Sequence, residues 1–356
     1  MSTDALIAEP LSSSTKATAV RGTAGHPSGR RGVGCTIAET LGSESSRELV
    51  GAEPFGAQDE SLARVRLGSF LRDLVQLTKP RIVVMILVTT VASSMIAAGH
   101  LVAAESLFWL LLGTGLVAGS AGAANQVWER VIDCAMARTA TRPLPDGRMS
   151  FSVAVLFTAF IGVSGSGVLA IHFGLVPAAV GIATWILYVL VYTPMKTRTA
   201  WNTTVGAVAG ALPVLIGYTA TGGGLNEASG WLLLGVLAAW QYPHFMAIAW
   251  MYRRQYEEAG FRMTTTVEPS GRSAGWQAIA GSVVLIGCGI GLCLIPAGLT
   301  SGLVGAAAVT ASCYPMLMAS IRFARQPEDV LARKLLRSSL LVLPAVLLAV
   351  TLRVFV

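Results

Sequence analysis

The chain has 356 residues, of which 53% are hydrophobic and only 13% charged. That balance excludes an ordinary soluble domain, and repeated apolar runs, each long enough to cross about 30 Å of hydrocarbon, place the chain in a membrane. A net charge of +7 would suggest nucleic acid in a soluble chain, but here membrane topology explains it better, so no nucleic-acid partner is expected.

Residues 1–62 are rich in Ser, Gly, Ala and Thr with charges of both signs, which predicts a disordered tail, and residues 63–356 make up the membrane domain. The tail has no apolar core of the kind a secretory signal needs. Asp4, Glu9, Glu39 and Glu44 argue against a mitochondrial transit peptide. Leu62 to Leu77, with Arg64, Arg66 and Arg72, reads as an amphipathic segment lying along the membrane surface ahead of Pro80. The cysteines form no CxxC pair, so no zinc site is expected.

Nine spans follow, at roughly 82–99, 106–125, 151–171, 175–193, 203–220, 231–250, 275–295, 299–320 and 338–355. The loops after the even-numbered spans carry the basic residues. They are Arg130, Arg138, Arg142 and Arg148; Lys196 and Arg198; Arg253, Arg254, Arg262 and Arg272; and Arg322, Arg325, Arg333, Lys334 and Arg337. The opposite loops, near 100–105, 172–174, 221–230 and 296–298, have no Lys or Arg. The positive-inside rule therefore puts the N-terminus and the basic loops in the cytoplasm. The expected fold is an all-α membrane protein, nine transmembrane helices bundled around a central cavity open to the cytoplasm. Gly115/Gly119 and Gly206/Gly210 have the GxxxG spacing that lets helices approach closely, and read as packing.

Three clusters lie on the basic side. The first sets Asn125, Glu129 and Asp133 at steps of four, which on a helix would share one face. Two carboxylates and an amide make an oxygen-donor set of the kind Mg²⁺ prefers. Arg138, Arg142 and Arg148 follow, and guanidinium groups suit phosphate oxygens. The plainer alternative pairs Glu129 and Asp133 with Arg130 or Arg138 at the interface. The second cluster places Lys196 and Arg198 in a short loop ahead of Asn202. Topology alone would account for two cations there. The third puts Gln241, Tyr242 and His244 inside span six beside Pro243, with Tyr252, Arg253 and Arg254 after it. Such polar groups in a span either line a cavity or bond to a neighbouring helix. Together the clusters could surround one pocket for an amphiphile, with an anionic head in the charged rim and an apolar tail among the helices.

The stretch from Asn125 to Leu144 fits N-x-x-x-E-R-x-x-D-x-x-M-x-R-T-x-x-R-P-L, and Tyr192 to Pro213 fits Y-T-x-x-K-x-R-T-x-x-N-x-x-x-G-x-x-x-G-A-x-P. With WQYPHF at 240–245, these resemble the UbiA-type intramembrane prenyltransferases, most nearly their protohaem IX farnesyltransferase branch. The resemblance covers roughly residues 70–355. It implies transfer of a farnesyl group from farnesyl diphosphate to a vinyl group of haem B, with addition of water, giving haem O and diphosphate. By position, Asn125, Glu129 and Asp133 would hold Mg²⁺, while Arg138, Arg142, Lys196 and Arg198 would neutralise the leaving group. Gln241 and His244 could orient the haem, through its iron or a propionate, with Tyr252, Arg253 and Arg254 also on the substrate side. Gln255 stands where the family commonly has an aspartate. That leaves a single metal ion, or a replacement by Glu257 or Glu258. The alternative within the superfamily is an aromatic quinone precursor as acceptor, and a secondary transporter is the alternative outside it. A bacterial inner membrane is the expected location, with a mitochondrial inner membrane as the alternative. A haem A synthase or a terminal oxidase assembly remains open as a partner.

Overall fold

The computed structural model describes residues 57–295 and 299–353. Most of the tail expected over residues 1–62 lies outside them. Among the described residues there are nine helices long and apolar enough to cross a membrane. A first helix, α1 (Ala57–Leu77), precedes them. It begins earlier than the sequence suggests, because the sequence from Ala57 to Ser61 has no Gly or Pro to stop the helix. On α1, Leu74 and Leu77 pack against Ala123, Met149 and Ala154. Leu67, Leu71 and Val75 are exposed in a row at steps of four, an apolar stripe suited to a membrane surface.

The spans are α2 (Pro80–Ala98), α3 (Ala104–Glu129), α4 (Phe151–Phe173), α5 (Leu175–Met195) and α6 (Asn202–Ala220), and α7 (Ala228–Met251). Two short helices, α8 (Arg253–Glu258) and α9 (Thr264–Val267), then lead to the last three. Those are α10 (Arg272–Leu294), α11 (Leu299–Arg325) and α12 (Asp329–Arg353). Sequential spans pack side by side, and α12 returns to α2 and closes the ring. Leu233 and Met246 of α7, Leu285 of α10, Met316 and Phe323 of α11, and Leu335 and Leu343 of α12 are fully buried and form the main core.

The final span differs from its sequence boundary. It starts at Asp329 rather than near 338, so Arg333, Lys334 and Arg337 lie in its first turns, not in a loop. Hydropathy underestimates such a helix, because long basic side chains let it project past the hydrocarbon while their charges reach water. Gly206 and Gly210 are contact positions, as expected. A Cβ on Gly206 would sit 2.6 Å from the Tyr192 ring, and one on Gly210 would strike the Gln241 amide.

Candidate functional site

The site is built from the turn between α1 and α2 upward. Lys79 precedes Pro80, the first residue of α2, and takes a left-handed conformation with φ 56° and ψ 59°. For a side chain other than Gly this costs about 1–2 kcal/mol, so tertiary contacts must hold it. They come from α3. The Gln126 amide donates to the carbonyls of Gln76 and Leu77 at 3.1 and 2.9 Å. Gly122 lets the turn come close, since a Cβ there would lie 2.9 Å from the Thr78 carbonyl oxygen. Fixed this way, Lys79 donates its ammonium to the Asn125 amide oxygen. Burial and the nearby Lys196 ammonium pull the Lys79 amine down to about 7. Lys79 was not singled out by the sequence.

Asn125 and Glu129 lie on the last turns of α3 and are buried. Asp133 is not on that helix. α3 ends at Glu129, and the chain enters a short 3₁₀ turn, Ile132–Ala135, that carries Asp133. The expectation of one shared helical face is thus corrected. The three side chains still converge, because the turn is pinned by its own bonds. Thr139 donates to the Asp133 carbonyl at 2.8 Å, and Arg142 Nη1 pairs with Asp133 Oδ2 at 2.5 Å. Burial pushes the Asp133 carboxyl up against the opposing pull of Arg142.

The facing wall comes from α5, whose Leu187–Tyr192 section is a π-helical segment. Such wider turns often occur at functional sites. Here the wider turn sets Thr193 over the Tyr188 carbonyl, which accepts both its backbone N–H and, at 2.8 Å, its hydroxyl, and Thr193 Oγ1 in turn accepts from the Asn125 amide at 3.0 Å. Lys196 follows, 2.7 Å from Glu129 Oε1 and 4.8 Å from the centre of the Tyr192 ring. Burial opposes its charge, but the Glu129 carboxylate outweighs that and holds the amine above its usual value. The Arg262 amide donates to the Lys196 carbonyl at 2.7 Å, drawing the Phe261–Met263 segment over the wall.

These elements enclose a cavity of about 190 Å³. Asn125, Glu129, Asp133, Lys79, Arg138, Arg142 and Lys196 line it, alongside Ile82, Met136, Tyr188, Tyr192, Tyr256, Phe261 and Met263. Its cations outnumber its carboxylates, so it suits a multiply charged anion. Arg138 is exposed beside it, over the Tyr252 ring at 5.7 Å. Asp133 Oδ1 is buried and has no hydrogen-bond partner among the described residues. A buried, unpaired carboxylate oxygen beside two further oxygen donors fits a hard cation. No group of three or more His, Cys, Asp or Glu side chains gathers as a metal cage among the described residues. A cation here would therefore complete its shell with phosphate oxygens and water, as Mg²⁺ does when one or two carboxylates hold it.

Other expected residues lie elsewhere. Arg198 is exposed and does not line the cavity, and neither does Arg148, which pairs with Asp73 on α1 and with Asp146. Gln241 is buried and donates to the Ala207 carbonyl at 2.9 Å, joining α7 to α6. His244 Nδ1 lies 2.9 Å from the Ser339 hydroxyl, and its ring stacks on Trp240 at 4.9 Å, at the α7–α12 interface. Arg253 pairs with Asp329 at 2.8 Å, and Arg254 is exposed. Glu257 and Glu258 are exposed, and neither they nor Gln255 line the cavity.

The model of the UbiA prenyltransferase family matches residues 86–341. A protoheme IX farnesyltransferase of Rhodopirellula baltica is 62% identical over 284 residues, covering 79% of this chain and 99% of the relative. One from Solibacter usitatus is 38% identical over 287 residues, with 78% and 96% covered. Among solved structures, a digeranylgeranylglyceryl phosphate synthase has a TM-score of 0.66 at 14% identity, covering 80% of this chain and 98% of its own. A UbiA homologue from Archaeoglobus fulgidus bound to GPP and Mg²⁺ has a TM-score of 0.60 at 14% identity, with 78% and 99% covered. At that identity the two structures bear on the fold alone.

Proposed function

We propose a reaction for this chain from one premise: it belongs to the UbiA prenyltransferase family. It is a prenyltransferase and a multi-pass bacterial membrane protein. The reading is that it transfers a farnesyl group from farnesyl diphosphate to a vinyl group of haem B, with water added, giving haem O and diphosphate. The acceptor and donor come from what its bacterial relatives are named for. The observation that carries the chemistry is the cavity in which Asn125, Glu129 and Asp133 meet Lys79, Arg138, Arg142 and Lys196.

In this reading the allylic C–O bond breaks, and the diphosphate leaves with the bonding pair. Lys79, Arg142 and Lys196 are already held in place and would stabilise the negative charge as it grows, with Arg138 at the rim and Arg198 available from the loop outside. Mg²⁺, held by Asn125, Glu129 and Asp133, would supply further charge neutralisation on the diphosphate. The Tyr188 and Tyr192 rings and the apolar groups Ile82, Met136, Phe261 and Met263 would keep water from the farnesyl cation. The haem vinyl π pair then forms the C–C bond. Water adds to the cation left beside the macrocycle and gives up one proton. Gln241 and His244 are held at helix interfaces and are proposed to support the haem side rather than touch the haem, while Tyr252, Arg253 and Arg254, also outside the diphosphate cavity, remain proposed haem contacts. The basic end faces the cytoplasm of a bacterial inner membrane, with the N-terminus on that side.

The test is a product assay on the purified chain with haem B, farnesyl diphosphate and Mg²⁺, read by mass spectrometry. A haem species carrying one hydroxyethylfarnesyl group, absent when EDTA is added, is the expected result. Prenylation of a hydroxybenzoate or naphthoate with no haem product would overturn the acceptor.

A further inference from the structure

Away from that cavity, α11 and α12 enclose a groove of about 420 Å³ on the outer side of the bundle. Tyr314, Met318 and Arg322 follow one another at steps of four along α11, and Lys334 and Arg337 face them from α12 at a step of three. These spacings put each set on one helical face. Pro315, inside α11, also lines the groove; proline removes a helical hydrogen bond and opens the ridge there. The two ends differ in chemistry. Arg322, Lys334 and Arg337 converge at the basic end, while Tyr314 (61% exposed), Pro315 and Met318 extend toward the middle of the span.

No acidic side chain lines this groove, and none of the three cations has an ion-pair partner among the described residues. Membrane topology alone does not explain their convergence. Arg325 and Arg333 already supply basic charge on this side without lining the groove. The volume falls within the roughly 300–1,000 Å³ typical of ligand pockets. Paired donors on a flexible basic rim, with an apolar run below them, match a phosphoryl headgroup whose chains lie along the helices.

We propose that the groove between α11 and α12 is a binding site for the phosphate headgroup of an anionic phospholipid, held by Arg322, Lys334 and Arg337 with the acyl chains along Tyr314, Pro315 and Met318. The site is independent of the reaction proposed above, so either can fail without the other. The shared chemistry is a phosphoryl anion, and the sources to be separated are a lipid and free phosphate.

The experiment is native mass spectrometry of the full purified chain, offered in turn phosphatidylglycerol, phosphatidylcholine and inorganic phosphate. Wild type is expected to retain phosphatidylglycerol and to release phosphatidylcholine. R322Q/K334Q/R337Q is expected to weaken phosphatidylglycerol retention by about tenfold or more, and R322K/R337K to restore most of it. Should the triple variant fail to fold by thermal melting, R322Q alone gives the same readout with a smaller loss. Equal retention of both lipids, or retention by the neutralised variants at wild-type strength, overturns the proposal. Inorganic phosphate bound in place of phosphatidylglycerol would overturn the lipid source.

Discussion

Asp133→Asn separates the chemistry of the cavity from its architecture. The Asp133 side chain is 1% exposed and pairs with Arg142, itself 18% exposed, at 2.5 Å. Asn keeps the shape and still offers Arg142 an acceptor, so the structural loss is the charge component of one buried, charge-assisted bond, about 1.5–3 kcal/mol. For a chain of 356 residues that is a fall in melting temperature of roughly 2–4 °C. The chemical loss is larger. The oxygen opposite the one that meets Arg142 is the buried Oδ1 with no partner, the natural ligand position for a cation. Asn leaves there only a neutral amide, so a preorganised electrostatic contact to the leaving group goes, worth about 100- to 1,000-fold in turnover. The assay measures turnover per folded molecule at saturating farnesyl diphosphate while Mg²⁺ is titrated, alongside a thermal melt in the same detergent. Turnover within about threefold of wild type, with an unchanged Mg²⁺ midpoint, would refute the metal role and leave Asp133 as a partner for Arg142.

Lys79→Gly should abolish most turnover without lowering the melting temperature, because glycine relieves the left-handed strain of about 1–2 kcal/mol while removing the cation on Asn125; a melt that drops sharply with turnover intact would reverse the assignment. Gly206→Ala should drive the Tyr192 ring into the cavity and cut turnover more than stability. Gly210→Ala, four residues on, meets only Gln241 and should cost about 1–3 kcal/mol of stability with turnover per folded molecule retained; kinetics decide between them, and identical behaviour would sink the distinction. His244→Ala removes a bond to Ser339 and a stack on Trp240, so the expected effect is a lower melting temperature at unchanged haem KM. A selective rise in haem KM would instead make the imidazole a direct haem contact.

The two halves of the candidate site were unequally legible in the sequence, for a physical reason. Asn125 and Glu129 could be paired from spacing because both lie on one regular helix, where rise and twist are fixed. Asp133 arrived by a different route: the helix stops, and the 3₁₀ turn held by Thr139 and Arg142 brings the carboxylate back to the same cavity. Spacing gave the right partner through the wrong geometry. Lys79 could not be ranked from spacing at all, since its reach depends on a left-handed turn that Gly122 and Gln126 hold from another helix. The one local signal was a lysine directly before a helix-starting proline, a charge placed at the edge of hydrocarbon where it needs a partner. Gln241 and His244 show the converse. Composition marks both as unusual in a span, but which way they face is set by helix rotation, which Gly210 and Ser339 settle only in three dimensions. Polar residues in a membrane helix therefore say that a partner exists. Whether that partner is a substrate or the next helix is decided by where the small residues lie on the neighbour, and at this site those residues leave Lys79, just before α2, and Lys196, just after α5, facing the cavity and turn Gln241 sideways.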